Sequence, residues 1–167
     1  MSRTKALNGV MPVRRPSGGS WRRTAMAFVP AWLLASAWGS LVQTHFNLQA
    51  LVRLGVDIPL QSRALMSAQD LVGFGPVYAG VVLAAWLPAF GVAHLLARKW
   101  PASRSWLLPL AAGTGLVAAL KFADAVAPMP VFIDATRGLG GLLAMAAGCV
   151  VAGMLFERLS RPSRPTP

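Results

Sequence analysis

The sequence predicts an all-α fold: an integral membrane four-helix bundle, N-in/C-in, with short loops and a longer first outer connection. Three observations lead there. Residues 71–97, LVGFGPVYAGVVLAAWLPAFGVAHLLA, contain no Lys, Arg, Asp or Glu. At about 1.5 Å per residue, roughly twenty such residues cross a hydrocarbon core about 30 Å thick, so this run reads as a span rather than a buried core helix. Hydrophobic residues make up 55% of the 167 positions, more than an ordinary soluble domain carries. The formal charge of +11 comes from short basic groups set between apolar runs. That pattern orients a membrane protein, whereas nucleic-acid binding calls for a basic patch with interleaved stacking aromatics. The lipid bilayer is therefore the expected partner, and nucleic acid is not.

The elements follow in order. Residues 1–23 hold Arg3, Lys5, Arg14, Arg15, Arg22 and Arg23, no acid, and several Pro, Ser and Gly. So few apolar groups cannot offset ordering entropy, which predicts a disordered basic cytoplasmic tail drawn to anionic headgroups. The four-span domain is expected over 24–156. Its first span, 25–42, is uncharged and carries Pro30 as a kink near its cytoplasmic end. Arg22-Arg23 with Ala35-Ser36-Ala37 also resembles a signal peptide with a small-residue cleavage site. The apolar run continues past that site to Val42, longer than a usual signal core, which favours an uncleaved anchor.

An outer segment spans 43–70. Leu48, Leu51 and Val52 fit one helix face, so the first helix is expected to continue beyond the bilayer and stop with Gly55 at C′. Asp57-Ile58-Pro59 forms the turn, and Pro59 or Ser62 opens an amphipathic approach through Leu65 and Met66. The second span, 71–97, should bend at Pro76 and Pro88 and ends at Arg98-Lys99-Trp100. The basic loop to Arg104 is short, which forces antiparallel neighbours. The third span, 105–127, has Pro109 in its first turns, contains Lys121 and Asp124, and is closed by Pro128 and Pro130. A short outer loop with Asp134 leads to the fourth span, 138–156, and 157–167 is a Pro/Arg/Ser tail expected to be disordered and cytoplasmic.

Charge sets the direction. Twelve of the sixteen basic residues fall on the proposed inner segments, leaving Arg53, Arg63, Lys121 and Arg137 outside. Trp21, Trp100 and Trp106 fall at the inner interface, while Trp32, Trp38 and Trp86 lie deeper, to pack between helices or face lipid. No internal repeat supports an inverted-repeat transporter.

Polar residues gather at the outer boundary, and His45, Asp70, Lys121 and Asp124 form the candidate polar site, because ionisable groups within a membrane are costly. Lys121 stands about 22 Å along the helix from Trp106, close enough to the outer interface to snorkel, with Asp124 its natural partner three residues on. That reading makes the pair a tie between helices. His45 and His94 sit near opposite faces of the bilayer and cannot share a metal or the two axial positions of a haem. The single Cys149 excludes an intrachain disulfide, a Cys-x-x-Cys pair and a zinc set. Gly138, Gly140 and Gly141 lack the strand and the Lys-Ser/Thr ending of a P-loop, and no serine sits in a glycine-flanked elbow. No catalytic residue, metal ligand or cofactor is expected.

The clearest packing signal is Gly140, Ala144, Gly148 and Ala152, small residues every four positions along the fourth span. Ala111, Gly115 and Ala119 form a similar row on the third, and Gly75 with Ala79 a shorter one on the second. Packing within the chain is the simpler reading of all three.

The run from Trp38 to Leu48, WGSLVQTHFNL, followed by Gly55-Val56-Asp57-Ile58-Pro59 and by Gln69-Asp70-Leu71-Val72-Gly73-Phe74, resembles small bacterial inner-membrane proteins with four predicted helices. The resemblance covers residues 25 to 156 and implies a multi-pass protein of the bacterial inner (plasma) membrane without implying an activity. Exporters of the small multidrug resistance type depend on an acid within the first span, and this chain has none; dual-cysteine quinone-linked oxidoreductases fail on the cysteine count. The expected function is thus a non-enzymatic accessory or scaffold subunit, contacting a membrane-protein partner or a second copy through its helices. The alternative is a small oligomeric channel or transporter with the polar site at its periplasmic mouth.

Overall fold

The computed structural model describes residues 19–126 and 133–161. The expectations for the tails at 1–18 and 162–167, and for Pro128 and Pro130, lie outside the described residues. Within them the chain is helical, with no strand: α1 (Gly19–Arg53), α2 (Leu60–Gly73), α3 (Gly75–Lys99), α4 (Arg104–Val126) and α5 (Leu139–Ser160), plus short 3-10 turns at Pro101–Ser103 and Asp134–Arg137. Four of these helices, α1, α3, α4 and α5, are long and apolar enough to cross a membrane.

Those four form a closed ring in which α1 packs on α3 and α5, and α4 packs on the same two helices from the far side. Helices α1 and α4 stand at opposite corners with no close backbone approach, and α2 lies along α1 and α3. Short connections account for the antiparallel pairing of α3 with α4.

Helix α1 has 35 residues, about 52 Å at the helical rise and well beyond the roughly 30 Å of a hydrocarbon core. It ends in a Schellman motif. The Gly55 N–H donates to Val52 O at 3.0 Å and the Val56 N–H to Leu51 O at 3.2 Å. This places Gly55 at φ 86°, a left-handed conformation that costs a residue without Cβ nothing. The chain then returns along α1 as α2.

The apolar run beginning at Leu71 is divided between two helices. Helix α2 ends at Gly73 and α3 begins at Gly75, with Phe74 between them still in the right-handed helical region. Pro76 has no N–H to continue the ladder, so the break falls where one helical hydrogen bond is already missing. Phe74 N–H to Asp70 O at 2.8 Å and Tyr78 N–H to Phe74 O at 3.0 Å carry the chain across it.

The centre of the ring is filled. Tyr78, Val82, Trp86, Leu108, Leu116 and Met145 have no exposed surface. Toward the end where α3 and α5 finish, Phe28 meets Trp86 and Phe156 edge-on at 5.9 and 6.0 Å, and Phe90 stacks on Phe156 at 5.0 Å. These geometries suit the ring quadrupoles. Two aromatic rings lie directly on glycine backbones of another helix: the Trp38 indole over Gly148 and the Tyr78 phenol over Gly39. A Cβ at either glycine would overlap the ring. Gly148→Ala or Gly39→Ala should therefore cost about 1–3 kcal/mol through overpacking. At Gly80 nothing lies within 4 Å, and Gly80→Ala should stay within about 0.5 kcal/mol. Thermal unfolding of the three variants in one detergent tests this contrast.

Candidate functional site

Three helix pairs of the ring are joined by the same contact. The indole N–H of Trp32 on α1 donates to Ala79 O on α3 at 2.9 Å, that of Trp38 on α1 to Ala144 O on α5 at 2.9 Å, and that of Trp86 on α3 to Ala112 O on α4 at 3.2 Å. Every acceptor is an alanine. A helix carbonyl keeps a second lone pair after its own ladder bond, and a small side chain above it lets an indole approach. The remaining pair, α4 with α5, closes at Gly113 against Val150 and at Gly153 against Ala112 and Pro109.

The row Gly140, Ala144, Gly148, Ala152 is thereby placed. Gly140 faces the Phe46 ring at 3.8 Å from its Cβ position, the Ala144 carbonyl takes the Trp38 indole, Gly148 lies under the same indole, and Ala152 is fully buried. The first three of these face α1.

A polar cluster forms where α2 returns to α1. The Thr44 hydroxyl donates to Asp70 Oδ2 at 2.8 Å and lies 2.9 Å from Ser40 O, while the Ser40 hydroxyl donates to Asp70 O at 3.2 Å. One turn away in the chain, the buried Gln43 accepts the Ala135 N–H at 2.9 Å and so pins the start of the Asp134–Arg137 turn. Spacing at i and i+4 puts Ser40 and Thr44 on one helix face, which is why both reach the same aspartate.

The predicted polar site falls in two places. His45 is exposed on α1 beside this cluster and accepts from the Gln49 amide at 2.8 Å, and Asp70 is half-buried against Thr44. Lys121 is exposed and Asp124 half-buried on α4, whose backbone approaches α3 and α5 closely but neither α1 nor α2. The fold thus brings Asp70 to α1 and keeps the α4 pair at the opposite corner of the ring.

Reading residue by residue passed over Glu157. It is buried at the other end of the bundle, where Arg161 Nε donates to its carboxylate at 2.8 Å and Ser160 Oγ donates to its carbonyl at 3.2 Å. Arg104, at the start of α4, reaches Ser160 Oγ at 3.4 Å. The hydrogen bond to the Glu157 carboxylate, with its charge, raises the Arg161 guanidinium above its usual value. The i, i+4 spacing of Glu157 and Arg161 was the available signal.

Among the described residues no set of three His, Cys, Asp or Glu side chains is placed to hold a metal ion. Cys149 is buried in the core beside Tyr78 and Trp86. Comparison with protein-family models, with curated proteins and with solved structures returns no match to this chain.

Thr44→Val should cost about 1.5–3 kcal/mol, because it strands a carboxylate that loses a hydrogen bond. Thr114 bonds only to Leu110 O of its own helix, so Thr114→Val should change stability by less than about 0.5 kcal/mol. Denaturation midpoints in detergent compare the two.

Proposed function

We propose that this chain is a multi-pass protein of the bacterial inner membrane, with both ends in the cytoplasm, that works as a non-enzymatic accessory or scaffold subunit through helix contacts. The observation that carries this reading is a filled axis inside an apolar exterior. Tyr78, Trp86, Leu116 and Met145 occupy the middle of the ring with 0% exposure, while Phe122 at 71%, Leu139 at 77% and Leu143 at 64% face outward. A chain whose centre is solid offers no polar path of its own. An outer surface of large apolar side chains suits lipid or another membrane helix.

Charge supports the orientation. Exposed Trp21, Trp100 and Trp106 share one end of the bundle with Arg22, Arg98, Lys99 and Arg158. Aromatic rings and cations together are the pattern of a cytoplasmic interface.

Reporter fusions test the topology: the C-terminus should report cytoplasm and the 54–59 turn periplasm, and opposite compartments for the two chain ends would overturn it. Alanine at Lys121 and Asp124 tests the role. A scaffold predicts lower abundance or altered assembly on native gels. Normal assembly with a lost solute flux would instead establish transport.

A further inference from the structure

Helices α1 and α2 enclose a groove of about 620 Å³ that neither the core nor the polar cluster uses. We propose that it is a site for an anionic phospholipid of the outer leaflet, with the acyl chain lying along α1 and the headgroup phosphate at Arg63. The proposal rests on the membrane reading above and adds a specific ligand to it.

The lining is mostly apolar and contains one cation. Trp38, Leu41, Val42 and Leu48 of α1, with Leu60 and Ala64 of α2, supply apolar surface, His45 and Arg63 supply polar groups, and the Ser67 hydroxyl is turned inward on its own helix, donating to Arg63 O at 2.9 Å. Because α2 runs back along α1, Arg63 lies near the 54–59 turn, and its Nε donates to Ile58 O at 3.0 Å. Trp38 and Leu41 lie on α1 farther from that turn. From Trp38 to Leu48 is about 15 Å of helix, half of a roughly 30 Å hydrocarbon core and so one leaflet deep. Arg63 therefore sits toward the headgroup level, and Trp38 and Leu41 toward the bilayer centre, the order in which phosphate and acyl chain follow one another in a phospholipid.

Charge selects the headgroup. No acidic residue lines the groove. Asp134 pairs with Arg137 and Glu157 with Arg161, and among the described residues no carboxylate is paired with Arg63. The bond to Ile58 O fixes one edge of the guanidinium and leaves its terminal N–H groups for a phosphate, which they match in a bidentate fork. A zwitterionic lipid brings its own cation to the same place and is disfavoured by it.

Native mass spectrometry of the full-length protein in neutral detergent, titrated with dilauroyl phosphatidylglycerol or dilauroyl phosphatidylcholine, tests this. The expected result is a one-lipid adduct about tenfold tighter for the glycerol lipid, whose headgroup brings no cation to Arg63; tenfold corresponds to about 1.4 kcal/mol. Arg63→Gln should remove that preference, and Arg53→Gln, at the exposed end of α1 and outside the groove, should keep it. Ala64→Trp, which fills the groove and leaves the charge, should weaken both lipids. Equal binding of the two lipids, an unchanged preference in Arg63→Gln, or undiminished binding in Ala64→Trp would overturn the proposal. Carbonate extraction separates the two readings: a membrane-bound protein without the preference refutes the groove alone, whereas recovery in the aqueous fraction refutes the membrane assignment beneath it.

Discussion

A helix that has already used its backbone hydrogen bonds internally offers a neighbour little to hold except shape and the second lone pair of its carbonyls. This bundle uses both at the same points. Trp32, Trp38 and Trp86 each cross to the adjacent helix and donate to an alanine carbonyl. Contact at that distance requires the facing backbone to be almost bare, and the requirement spreads outward: Gly148 must lack a side chain because the Trp38 indole occupies its place, and Gly39 because the Tyr78 ring does. In the proposed lipid setting, where apolar side chains gain nothing by leaving one another's company for the bilayer, such directional bonds and close van der Waals contacts are the principal terms that hold one helix to the next.

The same economy explains why α1 is central. It contributes two of the three indoles, it meets α3, α5 and the returning α2, and its Ser40, Gln43 and Thr44 satisfy groups on α2 and on the turn before α5. Its length beyond the ring then gives α2 something to lie against. The hairpin of α1 and α2 has no second layer covering it: none of the residues of α2 is buried. A groove remains between two helices that touch through a polar cluster at one end and a turn at the other.

The opposite end is held differently. There a buried carboxylate, Glu157, is bound by Arg161 from its own helix, and Arg104 reaches across from α4 through Ser160. The Glu157–Arg161 pair is local to the end of α5, so removing Arg161 would leave a buried carboxylate without its counterion, while the link to α4 is the Arg104–Ser160 contact. Clustered cations and exposed tryptophans around it belong to the same end.

Much of this was readable from the residues alone. The four apolar stretches, the stop at Gly55, the continuation of the first helix through Arg53 and the small-residue rows follow from periodicity and local backbone preference, which act between residues a few positions apart. Position along the spans set Trp21, Trp100 and Trp106 apart from Trp32, Trp38 and Trp86; the first three are strongly exposed, while of the deeper three Trp86 is fully buried and Trp38 keeps 43% of its surface exposed. What those three do was decided by the tertiary structure, because an indole finds its acceptor 26 to 106 residues away in the chain and nothing local encodes the pairing. The placement of Lys121 and Asp124 away from His45 and Asp70 was decided the same way. Depth along a span can be counted from a sequence, but the angle around the ring at which each helix stands depends on which faces interlock. The sequence by itself determined how many apolar helices there are, the stop at Gly55 and which residues are small; only the packed structure decided the break at Phe74 and which ring of which tryptophan lies on which bare backbone, since that is a long-range fit of shape and hydrogen-bond direction.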